Sequence, residues 1–158
     1  MATITVEIKG LDKLLRKSDG RYLLGGPLRD AFEAVGLTIE GAAKERAPVD
    51  RGQLRAGIGH QVDRGIVPQW VEIGTRNIPY ARPVHDGRRP GSMPPVQAIA
   101  AWVARKGIDA DPFVIARAIG RHGTKPRPFL TDALAAERPK VQGFFDQAAK
   151  AIEDKWQA

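Results

Sequence analysis

The stretch "RAPVDRGQLRAG" (Arg46–Gly57) decides the fold, because it separates two segments of different periodicity. Helical spacing precedes it, and the alternation typical of a strand follows it. Pro48 disfavours helical backbone at the preceding residue, so we expect the helix to stop there. Asp50 and Gly52 provide turn chemistry. The pattern predicts a corner from helix to strand, although its paired arginines would also suit a catalytic loop or a nucleic-acid contact.

The segment before the corner carries the clearest helical pattern of the chain. Pro27 suits the first position of a helix, and the helix then continues to Arg46. Its apolar face consists of Leu28, Ala31, Phe32, Val35, Ile39, Ala42 and Ala43. This spacing predicts a long amphipathic helix.

The segment after the corner reads as a β-hairpin. Every second residue from Leu54 to Val62 is apolar or histidine, and the residues between them are polar or glycine. The alternating residues are Leu54, Ala56, Ile58, His60 and Val62. "DRG" (63–65) then turns the chain into "IVPQWVEIG" (66–74). Pro68 has no N–H to donate, so the return strand is either an edge strand or begins only at Gln69.

The N-terminal segment predicts one strand and one short helix. "ATITVEIKG" (2–10) alternates Ile4, Val6 and Ile8 with polar residues. "LDKLLRKSDG" (11–20) then has leucines at helical spacing and a glycine as a stop.

The second half of the chain begins with a long irregular segment. Residues 75–95 contain five prolines, two glycines and four arginines, so we expect an extended arm. Two short helices should follow, one from Val96 to a stop at Gly107 and one within "DPFVIARAIGRHG" (111–123). After the proline-rich "TKPRPFL" (124–130), the spacing from Val141 to Trp156 predicts a long C-terminal helix.

Composition narrows the possible chemistry. The chain has 158 residues and no cysteine, which removes disulfides, thiolate metal sites and cysteine nucleophiles. We expect neither a secretory signal nor a membrane span. The formal charge of +7 suits an anionic partner.

Catalysis is poorly supported by the titratable residues. Glu72, His85, Asp86 and His122 fall on different predicted elements and have no ligand spacing such as H-E-x-x-H. For His60, at an alternating strand position, we expect a partly buried packing role. We therefore expect no catalytic residues, no metal and no cofactor.

The basic residues of the central region allow three interpretations. They could form a solvated surface, a patch that contacts phosphate, or an arm that docks on an acidic neighbour. The many prolines favour the arm, because a stiff segment without its own core gains most by lying on another subunit.

Three motifs in order resemble the neck and tail-completion family of long-tailed double-stranded DNA bacteriophages. They are "APVDRGQLR" (47–55), "WVEIGTR" (70–76) and "GTKPRPFLTDAL" (123–134). "MPPVQAIAAWVARKG" (93–107) and "IARAIGRHGTKPRPFL" (115–130) resemble members with an inserted helical segment. The chain departs from the family pattern at Arg51, where threonine is usual, and at Ile73, where Phe or Tyr is frequent.

The resemblance implies a structural virion protein, made in the host cytoplasm, and not an enzyme. Its fold would be α+β, a small antiparallel sheet packed with a long amphipathic helix and a C-terminal helix. Residues 1–158 would form a single domain in which 75–128 are an arm and helical insertion. Subunits would form a ring, which we expect to be hexameric, between the head-closure or connector proteins and the tail tube or terminator protein. Genomic DNA would pass through the lumen without specific contacts, and no membrane is involved.

Under this resemblance the interface residues come from the motifs and the arm. Asp50 would accept hydrogen bonds in the corner, Arg51 and Arg55 would contact the next subunit, and Gly74 would start the arm after Glu72. We expect the arm to be mobile in free subunits and ordered in the virion. The remaining interface candidates are Thr75, Arg76, Arg82, Arg88, Arg89, Arg127 and Phe129. The alternative function is a nucleic-acid-binding protein that uses the central basic region.

Overall fold

A computed structural model describes residues 3–7 and 21–157 of the chain. They form two compact units, one within residues 1–81 and 129–158 and the other within residues 82–128. The elements in chain order are β1 (Thr3–Glu7), α1 (Arg21–Arg46), α2 (Gln53–Gly57), β2 (Ile58–Val62), β3 (Trp70–Thr75), α3 (Ala81–Asp86), α4 (Val96–Lys106), α5 (Pro112–His122) and α6 (Phe129–Gln157). The short helix predicted over 11–20 lies outside the described residues.

The first unit is built on a three-stranded antiparallel sheet with the order β1-β3-β2. β2 and β3 form the predicted hairpin, and β1 pairs with the other side of β3. The return strand begins at Trp70, after Pro68, and is the central strand of the sheet. Pro68 therefore lies just outside the ladder, where its missing N–H costs no hydrogen bond. The predicted α+β class, with a small antiparallel sheet and two long helices, is confirmed.

One face of the sheet is covered by α1. Val71 and Ile73 of β3 are fully buried, as are Phe32, Val35 and Ile39 on the predicted apolar face of α1. Burial of such side chains is the main stabilising term of the unit, about 1.5–3 kcal/mol each. The periodicities of the sequence thus identify both sides of this core.

Gly36 allows α1 to approach β2 closely. It is buried in the middle of the helix, and the ring of His60 lies directly against it. A Cβ at this position would overlap the ring and would lie only 2.7 Å from its Cγ. The helix can therefore pack at this distance only because residue 36 has no side chain.

The C-terminal helix α6 packs on the same helix. The rings of Phe32 and Phe145 meet edge to face with centroids 5.2 Å apart. Such a pair contributes about 0.5–1.5 kcal/mol beyond the area that it buries. A second cluster next to it contains Leu24, Leu28, Ala31, Val67 and Ala148, with Phe144, Phe145 and Ile152 packed against it.

The corner forms as predicted, but a helical turn precedes the strand. The Ala47 N–H donates to the Ala43 carbonyl at 2.9 Å, and Gly52 adopts a positive φ of 77°. Leu54 and Ala56, predicted in the strand, belong to the short helix α2 instead. Leu54 is buried and Ala56 is exposed, whereas in a strand these two residues would lie on the same face.

Both long helices contain a proline that sequence reasoning placed at or near a boundary. α1 begins at Arg21, so Pro27 is inside it, and α6 runs without a break through Pro139. A proline within a helix removes one N–H donor and crowds the carbonyl four residues before it. In α1, Leu24 and Leu28 are buried on either side of the proline. Their burial offsets that cost.

The second unit contains α4 and α5. Gly107, with a φ of 62°, ends α4 as predicted, and Asp111 caps α5 by accepting a hydrogen bond from the Phe113 N–H at 2.7 Å. Val103 and Ala116 are its buried residues. Within the segment predicted as an arm, the structure also has helix α3, which the proline content did not predict.

Replacing Gly36 with alanine should destabilise the protein, because the new methyl group overlaps the His60 ring. We expect a loss of about 1–3 kcal/mol in the free energy of unfolding, as for other overpacked positions. Gly41→Ala is the matched control, since a Cβ there meets nothing within 4 Å on the same helix. That variant should gain about 0.5–1 kcal/mol. Equal effects of the two variants in urea titrations would contradict the close packing at Gly36.

Candidate functional site

The face of the sheet that points away from α1 is the candidate interaction surface. In one row of the sheet, Thr5 pairs with Glu72 and Glu72 with Gln61, and all three are exposed. In the next row, Gly74 lies between Thr3 and Gly59. The glycines contribute to a shallow depression of about 160 Å³. The exposed residues of this surface are polar, the half-buried Trp70 lies on the same side of β3 as Glu72, and no described helix covers the surface.

Both edges of the sheet are also open in the described part of the chain. β1 and β2 each pair with β3, and no other described strand pairs with either of them. Because β3 is central, the two open edges lie on opposite sides of the sheet. An open edge presents backbone N–H and C=O groups that can pair with another chain.

The candidates in the corner differ from one another. Asp50 and Arg51 are exposed. Arg55 is exposed too, but its Nε donates to the carbonyl of Lys44 at the end of α1, at 2.9 Å. Arg55 thus serves the corner of its own chain, whereas the exposed side chain of Arg51 is available for an interface.

At the end of β3, Thr75 and Arg76 have contacts within the chain. The side chain of Thr75 is buried, at 2% exposure, and its hydroxyl has no hydrogen-bond partner among the described residues. The Arg76 N–H donates to the Gly57 carbonyl at 2.9 Å, and its guanidinium lies 3.4 Å from the His60 carbonyl oxygen. The side chain of Thr75 is thus enclosed by its own chain, and an interface role for it stays a prediction.

Phe129, another interface candidate, is also buried within its own chain. It is the first residue of α6, with only 1% of its surface exposed, and it is followed by the buried residues Leu130 and Ala133. A phenyl ring gains most by full burial in the chain's own core, so this position is structural.

The other arginine candidates lie in the second unit. Arg82 donates to Asp86 at 3.3 Å, and one Nη of Arg88 donates to the carbonyl and hydroxyl oxygens of Ser92. Arg89 and Arg127 are exposed. The predicted set therefore divides into a group on the sheet and corner and a second, basic group in the other unit.

A polar cluster that sequence reasoning missed connects α1 to β2. The Nδ1 of His60 lies 2.5 Å from a carboxylate oxygen of Glu40, and its Nε2 lies 3.1 Å from Glu33. Lys44 pairs with the other oxygen of Glu40. The seven-residue spacing of Glu33 and Glu40 places both on one helix face, but nothing in the sequence pairs them with His60. His60 therefore packs as a partly buried residue, as we expected, and in addition bonds Glu40 and Glu33.

The cluster favours a charged histidine. Partial burial opposes charge on the ring, yet hydrogen bonds to Glu40 and Glu33 outweigh it and raise the pKa of His60 above 6.5. Burial likewise opposes ionisation of Glu40, but its bonds to Lys44 and His60 lower its pKa below 4.5. Only an imidazolium donates from both ring nitrogens, so the geometry and the pKa directions agree.

The residues considered for catalysis do not form a metal site. Glu72 is exposed on the sheet, and the Nδ1 of His85 lies 2.7 Å from Asp86. Among residues 3–7 and 21–157, no group of three or more His, Asp or Glu side chains could hold a metal ion.

Comparisons with protein-family models, with curated proteins and with solved structures find no match to this chain. None of the described helices is long and apolar enough to cross a membrane.

Removing the His60 side chain should reduce stability in a pH-dependent manner. Because its folded pKa is raised, the stabilisation is fully present below pH 6.5 and is lost as the pH rises through the folded value. Glu40 has a lowered pKa, so its contribution is lost on acidification below 4.5. We expect His60→Gln to lower the free energy of unfolding by about 1–3 kcal/mol near pH 5.5, and by less at pH 9.

Urea unfolding of both proteins at these two pH values measures the difference. His122→Gln, at an exposed position, is the control and should change stability by less than about 0.5 kcal/mol. A cost of His60→Gln that is the same at pH 5.5 and pH 9 would show that the charged pair does not stabilise the fold.

Proposed function

We propose that this chain is a ring-forming subunit of the head-to-tail junction of a long-tailed double-stranded DNA bacteriophage. One side of the ring contacts the head-closure or connector proteins, and the other contacts the tail tube or terminator protein. Genomic DNA passes through the lumen without sequence-specific contacts. The protein acts by burying surfaces and has no catalytic role.

The positions of the three motifs support this proposal. The first, residues 47–55, builds the corner between α1 and β2, and the second, residues 70–76, supplies the central strand. The third, residues 123–134, leads into the buried start of α6. The motifs that resemble the phage family therefore include framework segments of this fold: the corner, the central strand and the start of α6.

The observation that carries the proposal is the open sheet. Its two free edges, β1 and β2, lie on opposite sides of β3 in the described chain. If β1 of one subunit meets β2 of the next, each contact joins two different surfaces. Repeated contacts of this kind generate a closed ring when the rotations between neighbouring subunits add up to a full turn. The exposed row of Thr5, Glu72 and Gln61 would then continue from subunit to subunit.

The mass of the purified protein in solution tests the proposal. Native mass spectrometry over a range of concentrations and salt should find one discrete assembly. A hexamer has a mass of about 103 kDa, six times the 17.2 kDa of the chain. Arg51→Glu should weaken this assembly without lowering Tm, because the side chain of Arg51 is exposed in the corner and our proposal places it in the contact with the next subunit.

Lys150→Glu makes the same charge reversal at an exposed position of α6 and is the control. It should leave the mass unchanged. A chain that stays at 17.2 kDa, both alone and mixed with the head-closure and tail proteins of the same phage, would overturn the proposal.

A further inference from the structure

The positive charge of the chain is concentrated in one unit. Residues 82–128 contain nine Lys or Arg residues and three Asp residues, a formal charge of +6 out of +7 for the whole chain. Scattered surface charge would be shared between the units in rough proportion to their size. The first unit, although larger, is close to neutral, so the charge of the second unit requires its own explanation.

Two segments of this unit lie side by side and form what we call the basic strip, residues 82–91 and 120–127. Arg88 and Thr124 exchange two backbone hydrogen bonds, of 3.1 and 2.8 Å, and the Arg127 N–H donates to the Val84 carbonyl at 3.0 Å. The Gly91 N–H donates to the Gly120 carbonyl at 2.8 Å. These bonds run along the strip and hold its two backbones together.

A glycine makes this close contact possible. Gly123 has a φ of 72°, and a Cβ there would overlap the carbonyl oxygen of Arg88. Any other residue would separate the two segments. The strip is thus organised before a partner arrives, which reduces the entropy lost on binding.

The strip presents cations almost without acids. Its basic residues are Arg82, Arg88, Arg89, Arg121, Lys125 and Arg127, and all are exposed except the half-buried Arg88. Asp86 is its sole acid, and hydrogen bonds from His85 and then Arg82 hold its pKa below 3.8. A concave site of about 560 Å³ is lined by Arg82, Arg88, Arg89 and Thr124, and also by the carboxylate of Asp86, which pairs with Arg82 and His85. The site offers several donors for oxygen anions.

The composition of the strip distinguishes between anionic partners. It has no Phe, Tyr or Trp, and Val84 is its one large aliphatic residue, so it lacks both the usual stacking platform of a single-strand binder and the apolar anchors of a protein interface. Phosphate contacts need only fixed cations and polar groups. The chemistry that remains is that of a duplex backbone.

We infer that the basic strip binds the phosphate backbone of double-stranded DNA, without reading its sequence. This goes beyond the proposed function, because it assigns a binding site within one chain and holds for a monomer as well as for a ring. Failure of ring formation would leave it intact, and failure of DNA binding would leave the ring intact.

Fluorescence anisotropy with a labelled duplex of arbitrary sequence, titrated with the full chain at several KCl concentrations, tests the inference. Log K should fall linearly with log salt, and a duplex of scrambled sequence should bind equally well. Arg89→Gln combined with Lys125→Gln should weaken binding at low salt by at least about tenfold. Each lost phosphate contact should reduce the salt slope by about 0.9.

Arg64→Gln combined with Lys150→Gln removes the same charge from exposed positions of the first unit and is the control. It should keep the wild-type slope. If this control loses as much duplex affinity as the strip variant, the duplex is attracted by net charge alone, and the assignment of the site is wrong. Absence of duplex binding by the wild-type chain would likewise overturn the site. So would a double strip variant that keeps duplex affinity but loses binding to polyglutamate, which would indicate an acidic protein partner.

Discussion

The contact between His60 and Gly36 is the constraint on which the rest of the first unit depends. A missing side chain on α1 lets the helix lie against β2, and the histidine ring fills that space. Glu33 and Glu40, on the same helix, then hold the ring through both nitrogens. Packing and charge therefore act at one point, and together they set the distance between the helix and the sheet. Val71 and Ile73 of the central strand are buried beneath the helix as a result.

This arrangement uses one face of the sheet and leaves the other free. α6 adds its apolar residues to α1, as the Phe32 and Phe145 pair shows, so both long helices serve the same side of the unit. The polar outer face and the two open edges are what remains for assembly. The basic residues, by contrast, belong mainly to residues 82–128. In our account the first unit joins subunits and the second contacts DNA, so assembly and attraction to DNA depend on different surfaces.

Sequence reasoning was most successful where an apolar periodicity extends over many residues and ends at clear turn residues. The apolar face of α1, the corner at Pro48 and the hairpin that leads to Trp70 follow from spacing and turn residues alone. It failed where burial overrides a local preference, as at Pro27, and where one helical turn and a strand bury the same residue, as at Leu54. The contacts of His60 join residues far apart in the chain, which no local pattern reveals. The burial of the interface candidates Thr75 and Phe129 was not foreseen, because a motif marks important positions without showing whether they face inward or outward.

Hydrogen exchange of the free and assembled chain shows whether the open sheet edges join one subunit to the next. β3 already pairs on both sides, so its amides provide an internal reference within the same sheet. Our account predicts that backbone amides of β1 and β2 exchange more slowly in the assembly than in the free subunit, while those of β3 change little. Unchanged exchange in both edge strands of an assembled ring, with new protection elsewhere, would contradict it.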